Sequence, residues 1–234
     1  MQTNPSQPKL IVALDFDNRA DALSLVRRLD PQQCALKVGH EVFSLLGPDF
    51  VRELVDRHYH VFLDLKFHDI PNTVARACRV SANLGVWMLN VHASGGLDMM
   101  RAAKEAVSHF ATPPLLVAVT VLTSMTTEDL NAVGLNVTLE EQVVHLAQLA
   151  KEAGLDGVVC SAHEVSLIKK YCGSEFLTVT PGIRMSSSAP DDQSRMMNPE
   201  AAIKAGSDYL VIGRPITRAT NPKQVVADLL RMCG

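Results

Sequence analysis

The sequence predicts a single closed (β/α)8 barrel, an α/β TIM barrel with its active site at the C-terminal ends of the strands. Three observations carry that reading. Eight short β-branched runs recur along the chain, with amphipathic stretches between them. The runs are mostly continuous in hydrophobicity, as parallel strands covered on both faces are. The length, 234 residues, suits one barrel of roughly 200–250 residues. Residues 1–8 are expected as a flexible N-terminal tail and residues 9–234 as the one barrel domain.

The elements follow in chain order. LIVALD (10–15) is the first run. It leads into Arg19–Leu29, whose apolar residues at 22, 23, 25, 26 and 29 form a helical stripe. ALKVG (35–39) and HVFLDLK (60–66) are the second and third runs. Pro71 then suits the first turn of a helix, and Val74–Leu84 carries the apolar stripe. VWMLNVH (86–92) and LLVAVTVL (115–122) come next, and Leu139–Ala153 again has helical spacing. GVVCS (157–161), FLTVT (176–180) and YLVIG (209–213) complete the set. An open doubly wound sheet is the competing arrangement, but no GxGxxG follows the first run. The segment PGIRMSSSAPDDQSRMMNP (181–199) reads as a long loop after the seventh strand. Loops of that length in compact domains are usually functional, and barrels often bind phosphate after strands seven and eight.

Composition excludes several classes. Hydrophobic residues at 47% and charged residues at 20% give a folded core. Lys+Arg of 22 against Asp+Glu of 25, with no basic block, speaks against a nucleic-acid binder. Aromatics at 5% speak against a single-strand stacking platform. Five cysteines (34, 78, 160, 172 and 233) with no CxxC fit neither a disulfide framework nor a zinc ribbon. The polar start MQTNPSQPK lacks the apolar core of a secretory signal. The longest apolar stretch, Leu115–Leu122, is interrupted by Thr120 and too short for a bilayer. These points lead to the expectation of a soluble, cytoplasmic protein with no membrane partner. His58 and His60 are expected at the start of strand three, on the stability face. His68 is expected to shape a loop and Met196–Met197 to pack. No metal site is expected.

The chemistry is sought where strands end, because that is where barrels place it. Asp15, Lys37, Asp64 and Lys66 stand at the ends of the first three strands. Asp64 and Lys66 are two apart and share a face with Phe62, their inner neighbour. Asp69 lies past the strand, before Pro71, and so points off a helix start rather than along the barrel axis, from where it can reach outward to a neighbouring subunit. Carboxylates flanking an ammonium favour its charged form, and a lysine so held can donate a proton. Read alone, Asp64–Lys66 is equally a structural ion pair. Four charges converging on one mouth are costly unless they act. Gly182 and Gly213 leave backbone N–H groups open to an anion, and Arg184 and Arg214 bring charge.

These residues carry a resemblance. LIVALDFD, ALKVG, FLDLKFHDIPNTV, VTVLTSM, TPGIR and YLVIGRPI stand in the order and spacing of the orotidine 5′-phosphate decarboxylase family, short bacterial type. The chain resembles that family essentially end to end, and FLDLKFHDIPNT is the most specific motif. The resemblance implies decarboxylation of orotidine 5′-monophosphate to UMP and CO2, the last step of de novo pyrimidine synthesis. It implies no metal or organic cofactor, and a homodimer. It implies that Lys66 protonates the pyrimidine as CO2 leaves, within a charged array of Lys37, Asp64, Lys66 and Asp69. Asp15 and Lys37 then contact the ribose. Asp69, Ile70 and Thr73 reach the partner's site. Thr123 or Ser124 meets the pyrimidine edge. Arg184, Gln193, Gly213 and Arg214 hold the phosphate. A metal-using sugar-phosphate barrel with the same Asp-x-Lys-x-x-Asp motif and a non-catalytic phosphate-binding barrel are the alternatives. The DIPNT continuation and the crowded charges weigh against them.

Overall fold

The computed structural model of the chain describes residues 8–184 and 197–233. Eight parallel strands close into a barrel in chain order, with the eighth paired to the first. They are β1 Leu10–Leu14, β2 Ala35–Val38, β3 Val61–Phe67, β4 Met88–His92, β5 Leu115–Val119, β6 Gly157–Val159, β7 Leu177–Thr180 and β8 Tyr209–Ile212. Each lies within its expected run, except that β3 runs on to Phe67.

The helices are α1 Arg19–Val26, α2 His40–Asp56, α3 Pro71–Ala82, α4 Leu97–Ser108, α5 Thr127–Ala132, α6 Leu139–Glu152, α7 Val165–Cys172, α8 Pro199–Lys204, α9 Arg214–Thr217 and α10 Pro222–Cys233. Side-chain oxygens of Asn18, Thr126, Thr138 and Asn198 cap four of them, satisfying N–H groups that a first turn leaves open. Pro71 opens α3 as expected. Helix α2 breaks at Gly47, whose φ of 67° suits a residue without Cβ, and Pro48 follows. Among the described residues no helix is long and apolar enough to cross a membrane.

The two-residue period of each strand sorts its side chains. Leu10, Val12, Leu14, Leu36, Val38, Leu63 and Leu89 point outward and pack beneath the helices. Ile11, Ala13, Ala35, Phe62, Met88, Val117, Val119, Val159, Val179, Tyr209 and Val211 point inward and fill the lumen. The barrel is therefore a packed core rather than a pore.

At the N-terminal end of the barrel, charge is consumed by backbone. The Asp156 carboxylate accepts from Leu116 N–H at 2.7 Å and from Lys104 Nζ at 2.8 Å. The Asp208 carboxylate accepts from Thr178 N–H and Lys169 Nζ, both at 2.7 Å. Each carboxylate ties one strand to its neighbour. His60 lies just before β3 and meets Trp87 edge-on, and Trp87 meets Tyr209 the same way. The reading of His58 and His60 as residues of this end is borne out.

The C-terminal half of β3 is irregular. Leu63 faces Leu89, and the next register pair is Phe67 with Val91. Four steps along β3 thus span two along β4, and a bulge lies over Asp64, Leu65 and Lys66.

Candidate active site

The inward positions continue beyond the apolar floor as charged residues. Asp15 follows Ala13, Lys37 follows Ala35, and Asp64 and Lys66 follow Phe62. Lys37 Nζ lies 3.5 Å from Asp15 Oδ1 and 3.3 Å from Asp64 Oδ2. Lys66 Nζ lies 2.8 Å from Asp64 Oδ1. The result is a row of alternating sign, Asp15–Lys37–Asp64–Lys66. Its middle is sheltered, with side-chain exposure of 13% for Lys37 and 11% for Asp64, while Asp15 is open at 61%. Gly39 gives the row room: a Cβ there would stand 3.2 Å from Lys37 Nζ.

Burial pushes the Asp64 carboxyl up. The Lys37 and Lys66 ammoniums, with hydrogen bonds from Lys66 and Asn90, outweigh burial and bring it down to about 2. Burial pushes the Lys37 ammonium down, but Asp64 and Asp15 reverse this and raise it above the ordinary lysine value. Both groups stay charged at neutral pH. His92, at the end of β4, is lowered by burial first and then by His68, Lys66 and His40. Its ring stacks at a tilt on His68, centroids 5.6 Å apart.

The row lines a cavity of about 330 Å³ at the C-terminal mouth. Phe62, Val119, Val159 and Val211 form its floor. Thr123 and Ser124 stand on the wall after β5, and Arg184, Gly213 and Arg214 on the rim after β7 and β8. Gly182 takes φ of 78°, which turns the chain toward Arg184. Arg184 N–H donates to Met197 O at 3.0 Å, and Met197 N–H to Gly182 O at 3.3 Å. Ile183 and Met197 thus form an isolated parallel bridge, and Met197 packs on the core.

Three sequence-derived positions stand apart from this cavity. Asp69, Ile70 and Thr73 are exposed at the start of α3, and Ile70 is 67% exposed. Asp69 Oδ1 accepts from Ile70 N–H at 2.6 Å. Within one chain they do not meet the charged row. Gln193 and Met196 lie outside the described residues. The sequence reading missed one group, Asn90, which is fully buried on β4. It binds Asp64 and the backbone of Lys66. Its place near the end of the fourth run was the available signal. Among the described residues, no group of three or more His, Cys, Asp or Glu is placed to hold a metal ion.

Comparison with known proteins agrees with this geometry. The model of the Orotidine 5′-phosphate decarboxylase / HUMPS family matches residues 8–229. An orotidine 5′-phosphate decarboxylase of Legionella pneumophila (strain Corby) is 64% identical over 225 residues, 96% of this chain and 98% of that protein. One from Vibrio parahaemolyticus is 60% identical over 222 residues, 94% of this chain and 95% of that protein. The crystal structure of orotidine 5′-phosphate decarboxylase from Lactobacillus acidophilus superposes with a TM-score of 0.86 at 37% identity, covering 97% of this chain and 99% of that one. A match that runs almost from end to end, in sequence and in barrel alike, means that this chain belongs to the orotidine 5′-phosphate decarboxylase / HUMPS family.

Proposed function

We propose that this chain decarboxylates orotidine 5′-monophosphate to UMP and CO2, the closing step of de novo pyrimidine synthesis, through its own side chains. The observation that carries the reading is the alternating row Asp15–Lys37–Asp64–Lys66 above an apolar floor. High identity to decarboxylases of that name supports the substrate.

Loss of CO2 leaves an electron pair on an sp2 ring carbon with no conjugated sink. Stabilisation must come from charge that is already in place as the pair develops. Lys66, held 2.8 Å from Asp64, is the proton donor in this reading: its Nζ–H bond breaks and a C–H bond forms where the carboxylate left. Asp64, ionised by its lysine neighbours, also repels the substrate carboxylate, a smaller effect. Asp15 and Lys37 contact the ribose, and Thr123 and Ser124 face the pyrimidine edge. Arg184, Gln193, Gly213 and Arg214 hold the phosphate. Binding energy gained there is used at the ring.

In the same reading the enzyme is a homodimer in which Asp69, Ile70 and Thr73 complete the partner's site. Their exposure beside the mouth supports this. A cytoplasmic setting is supported by the buried, unbridged thiols of Cys34, Cys78 and Cys172.

An absorbance assay of orotidine 5′-monophosphate, with and without EDTA, tests the proposal. The expected result is UMP formation at a rate indifferent to chelation. Turnover lost on chelation would favour a metal-using sugar-phosphate enzyme of the same fold. No turnover in either condition would favour a binding protein.

A further inference from the structure

The bulge in β3 interrupts the ladder to β4 between Leu63 and Phe67. Asn90 fills that gap. Its Oδ1 accepts from Lys66 N–H at 2.8 Å. Its Nδ2 donates to Asp64 Oδ1 at 2.6 Å, the oxygen that also meets Lys66 Nζ at 2.8 Å. The partners fix the amide's orientation, because one is an N–H donor and the other a carboxylate. Lys66 itself is held at φ of 46°, in the left-handed region that lysine rarely adopts. Asn90 is fully buried and is not among the residues that line the cavity.

We propose that Asn90 is a positioning residue: one buried amide fixes the Asp64 carboxylate and the Lys66 backbone together, and so aims the Lys66 ammonium. The inference rests on the reading of Lys66 as proton donor. Asparagine is suited to the task because it offers an acceptor and a donor side by side. An alanine offers neither. An aspartate can accept from Lys66 N–H, but it sets a second carboxylate against Asp64. Like charges that close cannot both stay ionised, so the introduced carboxyl holds a proton more readily than usual. Only its protonated form can donate to Asp64 and reproduce both bonds.

The test measures kcat, KM and UMP inhibition for the parent chain, Asn90→Ala and Asn90→Asp between pH 5.5 and 8.5, with thermal melts alongside. In Asn90→Ala, kcat is expected to fall about 100-fold, the cost of misplacing a reacting group by about 1 Å. KM and UMP inhibition stay near the parent values. In Asn90→Asp, kcat is low at pH 8.5 and recovers toward the parent as pH falls. The isosteric Asn90→Asp carries the test should the alanine variant melt early. Parent-like kcat in Asn90→Ala overturns the proposal. So does a parallel loss of kcat and UMP affinity, or an Asn90→Asp profile that parallels the parent's, since a purely structural residue gives those results. A parent chain that leaves orotidine 5′-monophosphate unchanged overturns the functional reading and this inference together.

Discussion

Lys66 is a lysine where glycine would be comfortable. Its φ of 46° costs on the order of 1–2 kcal/mol, and the surrounding bonds from Asn90 and Asp64 hold it there. If Lys66 supplies the proton, Lys66→Ala abolishes turnover while UMP still binds, which calorimetry can show. Arg214 lines the same cavity as the charged row, from the segment after β8. In the proposed reading, Arg214→Ala removes a charged hydrogen bond to phosphate, worth about 3 kcal/mol, or roughly 100-fold in kcat/KM. A kcat/KM near the parent value would remove Arg214 from the phosphate end. The row Asp15–Lys37–Asp64–Lys66 was legible in the sequence because strand parity and strand ends locate it. Asn90 was legible only as the end of a strand. Its pairing with Asp64 depends on a register shift, and no local pattern announces a bulge.

At the level of elements, glycines report how closely strands approach. A Cβ on Gly157 would stand 2.2 Å from the Leu177 carbonyl oxygen, so β6 and β7 would have to part. Gly157→Ala is expected to destabilise the fold by about 3 kcal/mol, measured by urea unfolding. Gly39 makes a different prediction, because its neighbour is the tip of a flexible lysine. Gly39→Ala should leave the melting temperature almost unchanged but displace Lys37, lowering kcat/KM by about tenfold. Equal stability losses in the two variants would refute the distinction. Strand positions were readable in sequence because continuous apolar runs mark them. The break in α2 at Gly47 was not drawn out, although Gly47-Pro48 signals it. The outward placement of Asp69 was anticipated from Pro71. What those exposed residues contact in the proposed dimer is not written in local pattern.

Across the whole molecule the two ends divide the work. The lower end spends its carboxylates on strand N–H groups, and the upper end sets carboxylates against ammoniums around a cavity. This division predicts how stability follows pH. His60 and His92 are held below 6.5 in the fold, both chiefly by burial. The unfolded chain takes up their protons first, so the stability they contribute is present above pH 6.5 and is lost as pH falls through their folded values. Asp64 acts lower down. Its contribution is present above its unfolded value of 3.8 and is lost toward a folded value of about 2. Lys37, raised above 10.5, contributes fully below that pH and loses its contribution as pH rises through the folded value. Denaturant midpoints should therefore decline in two acid steps, and Asp64→Asn should shrink the lower one. Glu53 shares that step, because burial there is outweighed by Arg57 and Arg19, which hold its carboxyl low. The proposed dimer has its own test. Inactive Lys66→Ala and Asp69→Ala chains, unfolded together and refolded, should regain about a quarter of parental activity, because half the dimers then carry one intact site of two. No recovery would place Asp69 outside a shared site.

The Ile183–Met197 bridge has an engineering consequence. Two backbone hydrogen bonds, Arg184 N–H to Met197 O and Met197 N–H to Gly182 O, hold the two ends together there. The sequence between them, 185–196, is therefore a place where length can be varied. Doubling that length adds only about 0.6 kcal/mol of closure cost, and if Gln193 holds the phosphate as proposed, libraries confined to 185–196 are the place to seek enzymes for new phosphate esters.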